Sequence, residues 1–371
     1  MIGGGGVPDG VALDDRKSAI LKAIVQDFVR DGEPVGSKRL VEEVALGVSA
    51  ATVRAEMVAL EEAGFIQQPH TSAGRIPTDK GYRYFVDQLA AAATLAPEQR
   101  AAVEGLMLGS ADLEDLLRRT SSILSRLTRY AALVVPPRLD RSRLRHVELV
   151  QLGPTSVLAV FIADTGRVEK RMLDLDTEVA DHDVQRARYA LNEAASGLHM
   201  AQAPQVMAGV AVGAPTELRA LVEAVADAIR QGVVALPSEQ VIVGGTANIA
   251  GPSYFARIEQ VKQVYETLEE QVVMLRVLRD ALASGDPAVR IGAEMPLAEL
   301  AGCSVVAASY EAAGDAVGTL GVLGPTRMDY PQTLAAVQAV AESLETALAQ
   351  LTGTAVRDSG RDSGRDSVRD A

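Results

Sequence analysis

One stretch limits what this chain can fold into more than any other. Residues 35 to 81 read VGSKRLVEEVALGVSAATVRAEMVALEEAGFIQQPHTSAGRIPTDKG. The spacing predicts two short helices about a tight turn, then a β-hairpin with a polar, Gly-bearing tip. In the second helix Ser49 offers an N-cap, and Val53, Met57 and Leu60 fall at i, i+4 and i+7, an apolar stripe that faces inward. At about 100° per residue, Ala51 and Ala55 lie opposite that stripe, with Thr52 and Arg54 on its flanks. A solvent-facing helix with nothing to approach more often carries Glu or Lys there. Alanine instead lets the helix axis sit deep in a groove, and the major groove of DNA is the natural candidate.

Gly47, between Val44 and Val48, supplies the sharp reversal that a helix-turn-helix needs. Phe65 and Ile66 begin a strand, Pro69 ends it, residues 70–75 form the tip, and Ile76 returns the chain to the core. The pattern is that of a winged helix-turn-helix, and the hairpin favours it over three amphipathic helices with no DNA role. Arg54 can donate two hydrogen bonds to guanine O6 and N7, or else pair with Glu42, Glu43 or a phosphate. Ser49 and Thr52 suit a phosphate or a base edge, Ser49 as a cap as well. Lys38, near a helix start, suits a phosphate. Arg75 on the hairpin reaches a minor groove or a phosphate, or stays solvated, and His70 reads as a turn-structuring residue. The expected DNA-binding set is Lys38, Ser49, Ala51, Thr52, Arg54, Ala55 and Arg75.

The strings GEPVGSKRL, VSAATVRAEM and PHTSAGRIPTDKGYRYFVDQL resemble the N-terminal domain of the HrcA family, the heat-inducible transcription repressors of bacteria. PHTSAGRIPT is a long and specific match for a wing. The likeness continues more weakly through GGTANIAG at 244–251 and GVLGPTRMDY at 321–330. One departure bears on base preference: relatives usually carry Asn after the helix Arg, where this chain has Ala55. The resemblance implies a GAF-like domain carrying an inserted dimerising domain. It further implies a homodimer on an inverted-repeat operator upstream of chaperonin and chaperone operons. The chaperonin GroEL would help keep the repressor active, so that heat-damaged protein, by titrating GroEL away, switches the genes on.

A chain of 371 residues implies two or three domains. Its net charge of -13 is awkward for a DNA-binding protein, and residues 11–90 carry ten Lys plus Arg against twelve Asp plus Glu. Position must then carry the case: Lys38, Arg54, Arg75 and Lys80 cluster on the helix starts and hairpin, while Asp14, Asp15, Asp27, Asp31, Glu61 and Glu62 lie on the first helix or the far end of the recognition helix. Acidic surface elsewhere repels non-specific DNA. Apolar segments are broken well short of the roughly 20 residues needed to span a bilayer, the start MIGGGGVPDG has no signal-peptide pattern, and Cys303 is the single cysteine, so a cytoplasmic location is expected with no membrane role.

The expected fold class is α+β, with 1–12 disordered, 13–95 the winged helix domain, 96–175 and 244–353 the GAF-like domain, 176–243 the inserted dimerising domain and 354–371 a disordered tail of RDS repeats. Helix one covers 14–31, Ser37 caps helix two, which buries Leu40, Val41 and Val44, and Thr78 caps the helix that closes the domain. Helical pattern from Pro97 to Arg129 precedes a meander at 144–152, 157–163 and 168–175. The insertion carries helices near 180–196 and 215–231 and strands at 205–212 and 233–243. A helix over 252–284 has near-heptad spacing that either subunit packing or dimer contact explains. Strands at 289–293, 304–311 and 317–323 and a helix at 331–351 complete the sheet domain.

Enzyme chemistry finds no support: His70, His146, His182, His199 and Cys303 lack metal-ligand spacing, no G-x-S-x-G occurs, and VGGTANIAG lacks the Lys and spacing of a phosphate loop. No cofactor, metal or catalytic residue is expected. The alternative is a winged-helix repressor whose GAF-like domain senses a small metabolite.

Overall fold

The computed structural model describes residues 13–43, 49–70, 73–89, 94–234, 241–250, 258–312 and 317–353. Asp14 accepts the Lys17 amide at 2.8 Å to open α1 (Asp15–Asp31), and Gly32, at φ 77°, ends it in a left-handed cap that favours glycine. Its Ile20, Leu21, Ile24 and Val25 are buried as the spacing requires. α2 (Ser37–Glu43) begins at Ser37 itself rather than after it, and buries Leu40. Val44, Gly47 and Val48, on which the expected turn rests, lie outside the described residues, as do the expected disordered ends 1–12 and 354–371. α3 (Ala50–Glu62) is capped by Ser49, whose Oγ accepts the Thr52 amide at 3.2 Å, and Val53, Met57 and Leu60 are its buried residues.

β1 (Ile66–Gln67) and β2 (Ile76–Pro77) pair antiparallel, Ile66 opposite Pro77. Val35 adds a third strand segment, exchanging two 2.9 Å backbone hydrogen bonds with Arg75. A Cβ on Gly74 would lie 2.5 Å from the Val35 carbonyl oxygen, so only glycine permits this approach. α4 (Asp79–Asp87) follows, capped by Thr78 as expected, with Tyr82 and Phe85 buried.

The helical run expected from 97 to 129 divides into α5 (Pro97–Met107) and α6 (Leu113–Thr128), because Asp112 caps a new helix by accepting the Asp115 amide. β3 (Ala131–Val135), unexpected from the sequence, is buried at every residue. The meander follows as β4 (Leu144–Gln151), β5 (Ser156–Ala163) and β6 (Val168–Asp174), then α7 (Asp181–Ala195), α8 (Ala203–Gly213) and α9 (Thr216–Val234). β7 (Ile242–Gly244), α10 (Ile258–Glu269), α11 (Gln271–Leu282), β8 (Ala288–Ile291), β9 (Cys303–Glu311), β10 (Val317–Pro325) and α12 (Tyr330–Thr352) complete the described chain.

A five-stranded antiparallel sheet runs β7-β3-β10-β9-β8. Alternate residues face two helical layers: Ala132, Val134, Val306, Ala308, Leu320 and Val322 meet α6 and α12, and Ala131, Leu133, Val305, Ala307 and Leu323 meet α10 and α11. Three expectations change here. The meander does not join this sheet: it forms a separate three-stranded one, and its Val147, Leu149, Val157, Phe161 and Leu173 share a core with Val184, Leu191, Met207, Leu221 and Val225 of α7 to α9. That core reaches back to Leu139. Residues 205–212, expected as strand, are α8, since Pro204 sits in its first turn and Met207 and Ala211 are buried at helical spacing. The helix expected over 252–284 breaks at Glu270, and Val264, Leu268, Met274 and Leu278 pack inside the subunit.

α4 joins the amino-terminal unit to the sheet domain. Arg83 binds both carboxylate oxygens of Glu294, its Nε at 2.7 Å from Oε1, and donates to the Val289 carbonyl at 2.7 Å. Asp79 accepts the Ala293 amide at 2.9 Å, and Tyr82 lies 5.8 Å, ring to ring, from Tyr330. Tyr330 is fully buried at the start of α12, and Arg327 stands over the Phe28 ring. One apolar core therefore runs from α1 and α3 through α4 into α12.

Candidate nucleic-acid interface

The buried stripe on α3 fixes which side of that helix is free. Ala51, Arg54 and Ala55 are exposed, and Thr52 is half-buried on the flank. Among the described residues Arg54 makes no ion pair, so its five guanidinium donors are available. The Ser49 and Thr52 hydroxyls sit 3.1 Å apart, and Ser49 is exposed while it caps. Lys38 is exposed in the first turn of α2.

Arg75 is placed differently. It is 18% exposed and pairs with Glu61, Nη2 to Oε2 at 2.8 Å, tying the hairpin to the last turn of α3. Gln68 spans the hairpin by donating to the Ala73 carbonyl at 3.0 Å, and Ala73 donates its amide to the His70 carbonyl. Lys80 donates to the Ala63 carbonyl at 2.9 Å and stands over Phe65, so its charge serves the helix end.

The acidic excess is largely engaged. A Lys17 hydrogen bond holds the Asp14 carboxyl below the usual range, Arg39 does the same for Asp31, and Asp27 is buried against Arg39 at 2.6 Å. Lys17 also meets Glu56 at 3.2 Å. The sequence pattern missed Val58, 43% exposed on the same side as Arg54 and Ala55. The i+3 and i+4 steps from those two residues would have found it.

Elsewhere little converges. Among the described residues no cluster of three or more His, Cys, Asp or Glu is arranged to hold a metal. Cys303 is buried at the start of β9, and burial pushes its thiol up to about 12. A cavity of about 860 Å³ opens between α6, the β5–β6 turn and β7, where Arg118 pairs with Glu114 and Arg167 with Glu169. Among the described residues no helix is long and apolar enough to cross a membrane.

This mixed helix and sheet protein holds small residues, and an arginine with no ion-pair partner among the described residues, outward on an anchored helix, a face shaped for binding. Comparison with known proteins narrows the class. The family model described as HrcA protein C terminal domain matches residues 114–334. The chain is 47% identical over 339 residues to the heat-inducible transcription repressor HrcA of Acidothermus cellulolyticus, covering 91% of this chain and 99% of that one. Against the HrcA of Thermobifida fusca it is 46% identical over 337 residues, covering 91% and 97%. The chain belongs to the HrcA family of heat-inducible transcription repressors. A solved structure, described as a hypothetical protein at 2.2 Å resolution, has the same fold at a TM-score of 0.63 and 21% identity, covering 93% of this chain and all of that one.

Proposed function

We propose that this repressor binds an inverted-repeat operator of chaperonin and chaperone operons as a homodimer, through a winged helix-turn-helix whose recognition helix is α3. The observation that carries this is the outward face of α3, where Ala51 and Ala55 allow close approach and Arg54 has no partner among the described residues. Arg54 would read guanine through O6 and N7. Lys38, Ser49 and Thr52 would hold phosphates or base edges. Arg75, engaged by Glu61, would orient the wing first and reach DNA only by exchanging that pair.

The homodimer draws support from the outer face of the β4–β6 sheet. Val150, Val168 and Met172 are 42%, 47% and 54% exposed there, beside half-buried Leu158, Val160 and Ile162. These apolar residues share the face with His146, Glu148 and Lys170, and such a mixed face, repeated by a twofold axis, suits an isologous interface and would pair two recognition helices with two half-sites. The sheet domain with its two helical layers is read as GAF-like, interrupted by the dimerising unit. GroEL as modulator, and a cytoplasmic site of action, rest on the family.

A gel shift tests the whole reading. A duplex carrying an inverted repeat from the host's own chaperonin promoter should be retarded more than a scrambled duplex, and GroEL should raise the active fraction. No preference for the repeat would remove operator recognition; no response to GroEL would remove only the modulation. The metabolite-sensing alternative has the cleft beside α6 in its favour, and a large rise in the melting temperature with one small metabolite would favour it.

A further inference from the structure

The side of α3 that leaves the fold is not made of alanine alone. Val58 lies seven residues beyond Ala51, four beyond Arg54 and three beyond Ala55, so all four share one face. It is 43% exposed. A β-branched residue there weakens the helix slightly and gains little from burial. Nor can α3 turn to cover it, because Val53, Met57 and Leu60 hold the opposite side in the core. The face thus has two chemistries side by side: the donor fork of Arg54, and an apolar surface built by Ala55 and Val58. Glu62, exposed a turn further on, carries a charge that phosphates repel and so closes the readable face at its carboxyl end.

The major-groove edges of the bases present hydrogen-bond donors and acceptors, and the one methyl group among them is the C5-methyl of thymine. A polar base edge set against valine would lose its water without gaining a partner, whereas a methyl group loses nothing. A phosphate finds no donor on valine either. We propose that Val58, with Ala55, forms a subsite for a thymine methyl, so that each operator half-site places a thymine beside the guanine taken by Arg54. This rests on the proposed role of α3 as the recognition helix and adds to it the identity of a second base.

The test uses the full chain and a random pool of unmethylated duplexes, in which thymine is the only source of a C5-methyl group. Sites selected by the protein are resynthesised with each thymine replaced singly by deoxyuridine, which removes that methyl and nothing else. Affinity is read by fluorescence anisotropy at one fixed salt concentration. One thymine per half-site should bind roughly three- to fivefold more weakly as uracil, the worth of a single buried methyl. Val58→Ala should bind the thymine site more weakly by a similar factor, should no longer distinguish thymine from uracil at that position, and should not lower the melting temperature. The proposal falls if no thymine in the selected half-site is methyl-sensitive, or if Val58→Ala keeps the full sensitivity. Failure to select any sequence would instead overturn the recognition role of α3 itself.

Discussion

Ser49 serves the helix and faces solvent at once: its hydroxyl caps α3 while the residue stays exposed. The two roles separate by substitution. Ser49→Ala should lower stability by about 1 kcal/mol in denaturant unfolding, the usual loss of an N-cap. Ser49→Asp should restore the cap, yet bring a negative charge to the phosphates, so stability recovers while operator affinity does not. Arg54 has no structural partner to lose among the described residues. Arg54→Ala should therefore leave unfolding unchanged and weaken operator binding by about 1–3 kcal/mol, with a smaller effect on random DNA. Equal losses on both would make Arg54 a phosphate contact. These positions were legible because helical period and capping chemistry are local. The pairing of Arg75 with Glu61 was not, since it joins residues fourteen apart, beyond the reach of a helical period or a cap.

Among the elements, α4 has the largest consequence for its length. Its Arg83 binds Glu294, 211 residues away, through both carboxylate oxygens, and the Val289 carbonyl besides. Bidentate pairs of this kind are directional as well as strong, so α4 fixes how the amino-terminal unit sits on the sheet domain. Arg83→Ala should cost about 1–3 kcal/mol of stability. A double-mutant cycle with Glu294→Gln should show a coupling of about 1–2 kcal/mol; additive losses would mean that the ion pair contributes nothing specific. Nothing in the sequence around Arg83 names its partner. β3 and α8 were hidden for a related reason. The run AALVV has no alternation because both its faces are covered, and the small apolar residues of α8 suit strand or helix until a neighbour is chosen.

At the scale of the whole molecule, a net charge of -13 keeps DNA away from most of the surface and leaves binding to a few placed residues. Such a protein gains from doubling its contacts by symmetry. If the outer face of the β4–β6 sheet joins two copies, Met172→Asp combined with Val150→Asp should give a monomer by light scattering. Operator affinity should fall steeply while far-ultraviolet circular dichroism stays unchanged. A persistent dimer would move the interface elsewhere.

What the sequence determined by itself was whatever a few neighbouring residues decide: the capped helix α3, the hairpin that follows it, the meander and the closing helix. Each rests on periods of two or 3.6 and on caps, which act within a turn or two. Only the tertiary structure decided which apolar face covers which. The meander left the main sheet for α7 to α9, the long helix broke at Glu270, and α4 locked the amino-terminal unit to the sheet domain. An apolar face specifies that it must be covered but not by what, and that choice is made by packing across hundreds of residues.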